Sequence, residues 1–370
     1  MRNVALTVVA LAIGASPALA QREGWHTDFS RHTVPLEEIV PGGPPKDGIP
    51  ALDHPRFTSI SEAGTWLSDR DPVVLVQEGD EARAYPLQIL IWHEIVNDVV
   101  AGRPLAITFC PLCNTALAFD RRLDGRTLDF GTTGQLRHSD LVMYDRQTES
   151  WWQQATGEGI VGVHAGRQLE FVSAPLVSWE TFKSAHPAGS VLSRRTGYDR
   201  PYGQNPYTRY DDSGGSPITS FFRARRDDRL PAMARVVAVS LAGMDVAYPF
   251  AILRERAALN DEIGEVPIAV FWKPGTASAL DRQRIAEGRD VGSTGVFDRR
   301  HGGRVLSFDP AGVGRFRDRE TGSEFDILGR AVTGPLRSAR LRPIPHGNHF
   351  WFAWGVFKPS TRVVSSPPDG

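Results

Sequence analysis

The residues with the most chemistry to offer are two cysteines, the whole thiol content of this 370-residue chain. They stand two residues apart as Cys110-Pro111-Leu112-Cys113. Two thiolates on one short turn converge readily on a single ion at metal–sulfur distances of about 2.3 Å, and so supply half of a tetrahedral or trigonal site. His93 upstream and His138 downstream are the candidate imidazole ligands that would complete it. Glu94, Asn114 and Asp140 are candidate supporting groups beside those ligands. Such a sulfur-rich set suits Cu or Zn, and residue types alone do not choose between them. The same spacing serves a thiol–disulfide oxidoreductase, in which Cys110 and Cys113 are themselves the catalytic groups. A third reading makes the pair structural, in a ligand-binding or scaffold module. Metal binding is the leading reading, because no βαβ context of a thioredoxin domain surrounds the pair. No HExxH, phosphate loop or nucleophile elbow competes with it.

The elements that must position these residues read mostly as strands. Residues 105–109, Leu-Ala-Ile-Thr-Phe, form a buried β-run that delivers Cys110, and Cys110–Phe119 begins as a turn and continues as a strand. Residues 72–87 read as a hairpin turning at Gly79-Asp80. Residues 88–98 read as a short helix that ends near Asn97-Asp98. Further strand–turn–strand signals follow at 117–131 and 141–154. Within the latter, Trp151 and Trp152 must face opposite sides of a strand, one toward the core and one toward a cleft.

The chain also repeats itself. Ala-Tyr-Pro-Leu-Gln-Ile-Leu at 84–90 returns as Ala-Tyr-Pro-Phe-Ala-Ile-Leu at 247–253, and 12 of 34 positions are identical between 84–117 and 247–280. Later, Asp145-Arg146 pairs with Asp318-Arg319, Gly162 with Gly334 and Trp179 with Trp351. Residues kept in both copies hold the shared fold, whereas those present only in the first are the chemical candidates. His93 falls opposite Arg256, Cys110 opposite Lys273, Cys113 opposite Thr276, and His138 opposite the turn at 310–312. The expected fold is mostly β, α+β with short helices. It comprises two homologous tandem domains, 71–200 and 225–362, related by a pseudo-two-fold. An irregular arm at 21–70 precedes them, with solvated His26, His32 and His54. A connection at 201–224, rich in Tyr, Pro and Gly, joins them and is too aromatic for a plain linker; it reads first as a long ordered connection, and second as a loop packed against one domain and crossing toward the site.

The first 20 residues read as a signal peptide: Arg2, an apolar run over 4–13, and Ala18-Leu19-Ala20 as a small-residue cleavage site. The run is too short to span a bilayer. Export to a periplasmic or extracellular location after cleavage near Ala20 is therefore expected, with no membrane span in the mature chain. Forty-two Lys and Arg against 43 Asp and Glu leave a net charge of −1, which argues against a nucleic-acid partner. The remaining partners are a small molecule or another exported protein.

The motifs Trp-His-Glu-Ile-Val-Asn-Asp at 92–98, Phe-Cys-Pro-Leu-Cys-Asn-Thr-Ala-Leu-Ala-Phe-Asp at 109–120, the segment 130–154 and Tyr-Gly-Gln-Asn-Pro-Tyr at 202–207 resemble the DUF3179 family. The resemblance runs over about residues 70–360. It implies relatedness and a shared site rather than an activity, and it adds weight to His93, Cys110, Cys113 and the Ser139-Asp140 segment.

Overall fold

The computed structural model describes residues 24–212 and 215–365; the expected signal peptide lies outside them. The chain is mostly β. Among the described residues the α-helices are Ile60–Ala63, Leu87–His93, Trp179–Ala185, Phe250–Arg256 and Trp351–Phe357, none longer than seven residues. No helix among the described residues is long and apolar enough to cross a membrane.

The sheet that carries the cysteines is antiparallel, with strands in the order Phe171–Val172, Thr115–Asp120, Arg103–Cys110 and Ile95–Val100. Every residue of Arg103–Cys110 after Arg103 is buried, as its near-continuous apolar run requires of a strand covered on both faces. A second antiparallel sheet orders Ile39–Pro41, Phe130–Arg137, Asp140–Asp145, Trp151–Gln153 and Glu158–Val161. A third holds the hairpin Pro72–Glu78 and Glu81–Pro86, whose turn carries Gly79 at φ 56°. The largest apolar core joins Phe109, Cys113 and Leu117 to Leu280, Phe350 and Phe352 from the far end of the chain. The cysteines therefore sit inside the main core and not on its rim.

Several local devices occur twice. The step from strand to helix at 84–90 recurs at 247–253: strand Glu81–Pro86 into helix Leu87–His93, and strand Met244–Pro249 into helix Phe250–Arg256. Tyr85 Oη donates to Asp98 at 2.5 Å, and Tyr248 Oη to Asp261 at 2.6 Å. Asp145 accepts from the Thr148 N–H, and Asp318 from the Thr321 N–H, each at 2.7 Å. The acid–arginine motif at 145–146 thus closes a turn, as its presence in both halves implies. Tyr85 is fully buried, so Tyr85→Phe is expected to cost about 1–2 kcal/mol by taking a hydrogen bond from the Asp98 carboxylate. A urea unfolding curve would measure this, and an unchanged midpoint would remove the bond from the account.

Two details differ from the sequence reading. The helix beginning at Leu87 ends at His93, and Asn97 and Asp98 lie on the strand Ile95–Val100. Glu94 breaks the helix with φ 57°, and the β-branched pairs Ile95-Val96 and Val99-Val100 then favour strand. Trp151 and Trp152 are both buried, in separate cores. Neither lines a cleft: Trp151 is covered by Trp25 and Phe29 of the N-terminal arm, with ring centroids 5.1 Å away in each case. That arm packs closely elsewhere too. A Cβ on Gly134 would lie 2.1 Å from the Pro44 carbonyl oxygen, and Gly134 takes φ +73°. His26, His32 and His54 are exposed, as read.

Candidate metal centre

The strand Arg103–Cys110 ends at the first cysteine, and Pro111–Cys113 makes one 3-10 turn that brings the second back beside it. Pro111 suits the first position of that turn because its φ is already fixed near helical values. Asn114 closes the turn in the left-handed region, at φ 52° and ψ 33°, a conformation asparagine tolerates better than most residues. Cys110 then pairs across the sheet with Thr115. Both cysteines are free thiols and buried, and the Cys110 thiol donates to the Ser139 carbonyl at 3.7 Å.

The third group comes from the neighbouring sheet. His138 and Ser139 take φ 53° and 70° in succession, and the chain then enters the strand Asp140–Asp145 with the Asp140 carboxylate facing the two thiols. One sulfur from Cys110, one from Cys113 and one carboxylate oxygen from Asp140 all lie within 4.8 Å of one another. Asp140 is held in place from behind: its Oδ2 accepts from Gln153 Nε2 at 2.6 Å and from the Ala155 N–H at 2.9 Å. Its Oδ1 is buried and accepts no N–H or O–H, and Asn114 Nδ2 and Ser139 Oγ are buried without a hydrogen-bond partner. Buried polar atoms are rarely left unmatched in a folded protein; here they flank the two cysteines and the aspartate.

Electrostatics single out the same spot. Burial pushes the Asp140 carboxyl up to about 6. Burial, reinforced by Asp140, pushes Glu94 up to about 8. Burial also raises both thiols, Cys113 the further, with Asp140 adding to the effect on each. Four acidic groups therefore share one desolvated region; burial is the largest influence on each, and for Asp140 the hydrogen bonds from Ala155 and Gln153 oppose it. Such a set resists ionisation until a cation arrives. The same environment does nothing to activate a thiolate, which needs a nearby positive charge or a helix N-terminus.

The histidines sit elsewhere. Both ring nitrogens of His93 are engaged, Nδ1 with the Pro50 carbonyl at 2.8 Å and Nε2 with Tyr202 Oη at 2.7 Å. Burial lowers its pKa to about 4. His138 Nε2 contacts Glu38 at 3.1 Å, and its ring lies between Phe222 and Phe357. Neither imidazole belongs to the three-donor group. The donor that joins the thiols is Asp140, which the sequence reading had placed only as a supporting group.

The connection reaches this centre, the second of its two readings, and contributes residues that the sequence reading had not singled out. Tyr210 Oη donates to the Leu112 carbonyl at 3.0 Å, inside the cysteine turn. The Ser139 N–H donates to the Phe221 carbonyl at 2.8 Å. The Tyr207 phenol is raised by burial and by the neighbouring Glu94 and Cys110. Its aromatic composition was the signal, since solvated linkers rarely carry so many tyrosines. Tyr210→Phe is expected to increase the rate of thiol labelling by a small-molecule disulfide reagent about fivefold, through loss of one hydrogen bond over the turn. An unchanged labelling rate would mean that Tyr210 does not help to cover the pair.

A sequence model described as "Protein of unknown function (DUF3179)" matches residues 46–361. The chain belongs to the DUF3179 family. No curated protein and no solved structure matches it. In this DUF3179 chain the segments 92–98, 109–120 and 130–154 fold into one place around Cys110, Cys113 and Asp140, while 202–207 lies along its edge through Tyr202 and Tyr207.

Proposed function

We propose that this protein binds one thiophilic transition-metal ion, Zn or Cu, through Cys110, Cys113 and Asp140. The observation that carries the reading is the convergence of three buried donor atoms within 4.8 Å of one another. For tetrahedral geometry at about 2.3 Å, two sulfurs stand about 3.8 Å apart, so the separations are of the right size. The unpartnered Oδ1 of Asp140 supports it further. Two sulfurs and one oxygen leave a fourth position for a solvent or substrate atom, as in sites that do chemistry and not only structural work. The test is elemental analysis of the full chain purified without chelator, together with a free-thiol count. About one equivalent of Zn or Cu, with thiols protected until chelator is added, is the expected result. Metal-free protein whose thiols convert reversibly to a disulfide would replace this reading with the oxidoreductase one.

Two further parts of the proposal concern organisation and place. The chain is two copies of one fold, about 71–200 and 225–362, related by a pseudo-two-fold, and the metal belongs to the first. The strand orders support this: the four-stranded order of the cysteine sheet has a counterpart in Arg342–Pro343, Ser293–Asp298, Val266–Lys273 and Ala258–Ile263. The contacts between the halves are also reciprocal. Leu176–Ser178 packs on Ser293–Asp298, and the equivalent Gly347–Phe350 packs on Thr115–Asp120, as a two-fold demands. The second copy has Lys273 and Thr276 where the thiols stand, and it serves as support. Export with cleavage near Ala20 rests on the charged, apolar and small-residue succession of the first 20 residues.

A further inference from the structure

A second site lies apart from the thiols. A cavity of about 1270 Å³ is bordered by the connection, the segment before the strand Arg235–Leu241, and the helix Phe250–Arg256. Small-molecule pockets commonly measure roughly 300–1,000 Å³, so this one has room for a sizeable organic ligand. Its wall carries four guanidinium groups, from Arg209, Arg235, Arg254 and Arg289, and three carboxylates, from Asp211, Asp212 and Asp290.

The carboxylates are already committed. Asp290 accepts backbone N–H groups from Gly275 and Gly292 at 2.8–2.9 Å. Asp211, fully buried, is shared between Arg235 at 2.5 Å and Arg289 at 2.9 Å. Asp212 pairs with Arg209 at 3.0 Å in solvent, an arrangement that holds neither group firmly. Arg254 has no ion-pair partner among the described residues, and its side chain is exposed. Arg289 faces Asp281 as well as Asp211, so the positive charge to spare on this wall is that of Arg254. Next to it Met233, Phe250 and Val291 offer buried apolar surface.

We propose that this cavity binds an amphiphilic organic anion, a monocarboxylate with a medium-length alkyl chain. The carboxylate is held by Arg254, because a guanidinium matches a carboxylate with two parallel hydrogen bonds. The alkyl chain lies against Met233, Phe250 and Val291, where it leaves water. The site stands independently of the metal reading, since it shares no side chain with Cys110, Cys113 or Asp140.

Titration calorimetry of the full chain tests it, with decanoate as the probe and decanol as its neutral counterpart. Decanoate is expected to bind saturably with one site, about tenfold or more tighter than decanol, and Arg254→Gln is expected to weaken decanoate by a similar factor. The Cys110→Ser/Cys113→Ser variant should bind decanoate as the native chain does, which separates this site from the metal centre. Non-saturating decanoate binding, or decanol binding as tightly on the unmodified chain, would overturn the proposal whatever the variants do. Native-like decanoate affinity in a folded Arg254→Gln protein would also overturn it.

Discussion

Replacing Cys110 and Cys113 together with serine is expected to lower metal affinity at least about a thousandfold while leaving the fold intact. Two of the three donors leave with the thiols, and the hydroxyls that replace them are poor ligands for a soft ion. The fold should survive because the strand Arg103–Cys110 is held by neighbours on both sides, Ile95–Val100 and Thr115–Asp120, and the free thiols are not a covalent staple. Asp140→Asn should be milder, about 10–100-fold, since the amide keeps one oxygen. Lys273→Ala, at the position opposite Cys110 in the second half, should leave affinity unchanged. Competition with a chromophoric chelator measures all three. A double variant that unfolds would show that the pair is structural.

Removing the metal should also give the protein an unusual dependence on pH. Glu94 is held at about 8 in the folded chain, against an ordinary value of 4.5. Between those values the folded state holds a proton that the unfolded state has released, so raising the pH removes stability. Below about 6.5 the effect is mixed with that of buried histidines. His93 and His186 are both lowered to about 4 by burial, and they add stability as pH rises through that lower range. The clean window is therefore pH 6.5 to 8. There the metal-free protein should lose on the order of 2 kcal/mol, or about 2–3 °C in unfolding temperature for a chain of this size. Calorimetry at the two pH values in the presence of a chelator checks this. Glu94→Gln should flatten the slope, and a metal-free native protein that grows more stable from pH 6.5 to 8 would contradict the assignment.

What could be read from sequence depended on how local the determining physics is. The strand Arg103–Cys110, the 3-10 turn after it and the hairpin Pro72–Glu78 with Glu81–Pro86 follow from apolar runs and turn residues a few positions apart, and they were legible. The mostly-β class followed from many such signals. The helix end was missed because the backbone reversal at Glu94 depends on one left-handed residue that no periodicity announces. Burial of both Trp151 and Trp152 was missed because the cover of Trp151, Trp25 and Phe29, arrives from over 120 residues away. The same limit applied to the site. The cysteines were plain from type and spacing, but the choice among His93, His138 and Asp140 depends on how two sheets meet. A sequence preference for imidazole beside thiols favoured the histidines, while the geometry engages both ring nitrogens of His93 and Nε2 of His138 elsewhere, leaves His138 Nδ1 outside the three-donor group, and turns Asp140 inward. Histidine ligands are common enough that chemistry alone ranks them first; only the register of Asp140–Asp145 puts the carboxylate there.

X-ray absorption at the zinc edge reports whether Cys110, Cys113 and Asp140 hold one metal ion together. The full chain would be loaded with one equivalent of zinc and dialysed. The account predicts two sulfur scatterers at about 2.3 Å with oxygen at about 2.0–2.2 Å, and one fewer sulfur in Cys110→Ser. A zinc shell of oxygen and nitrogen alone, unchanged in that variant, would contradict it.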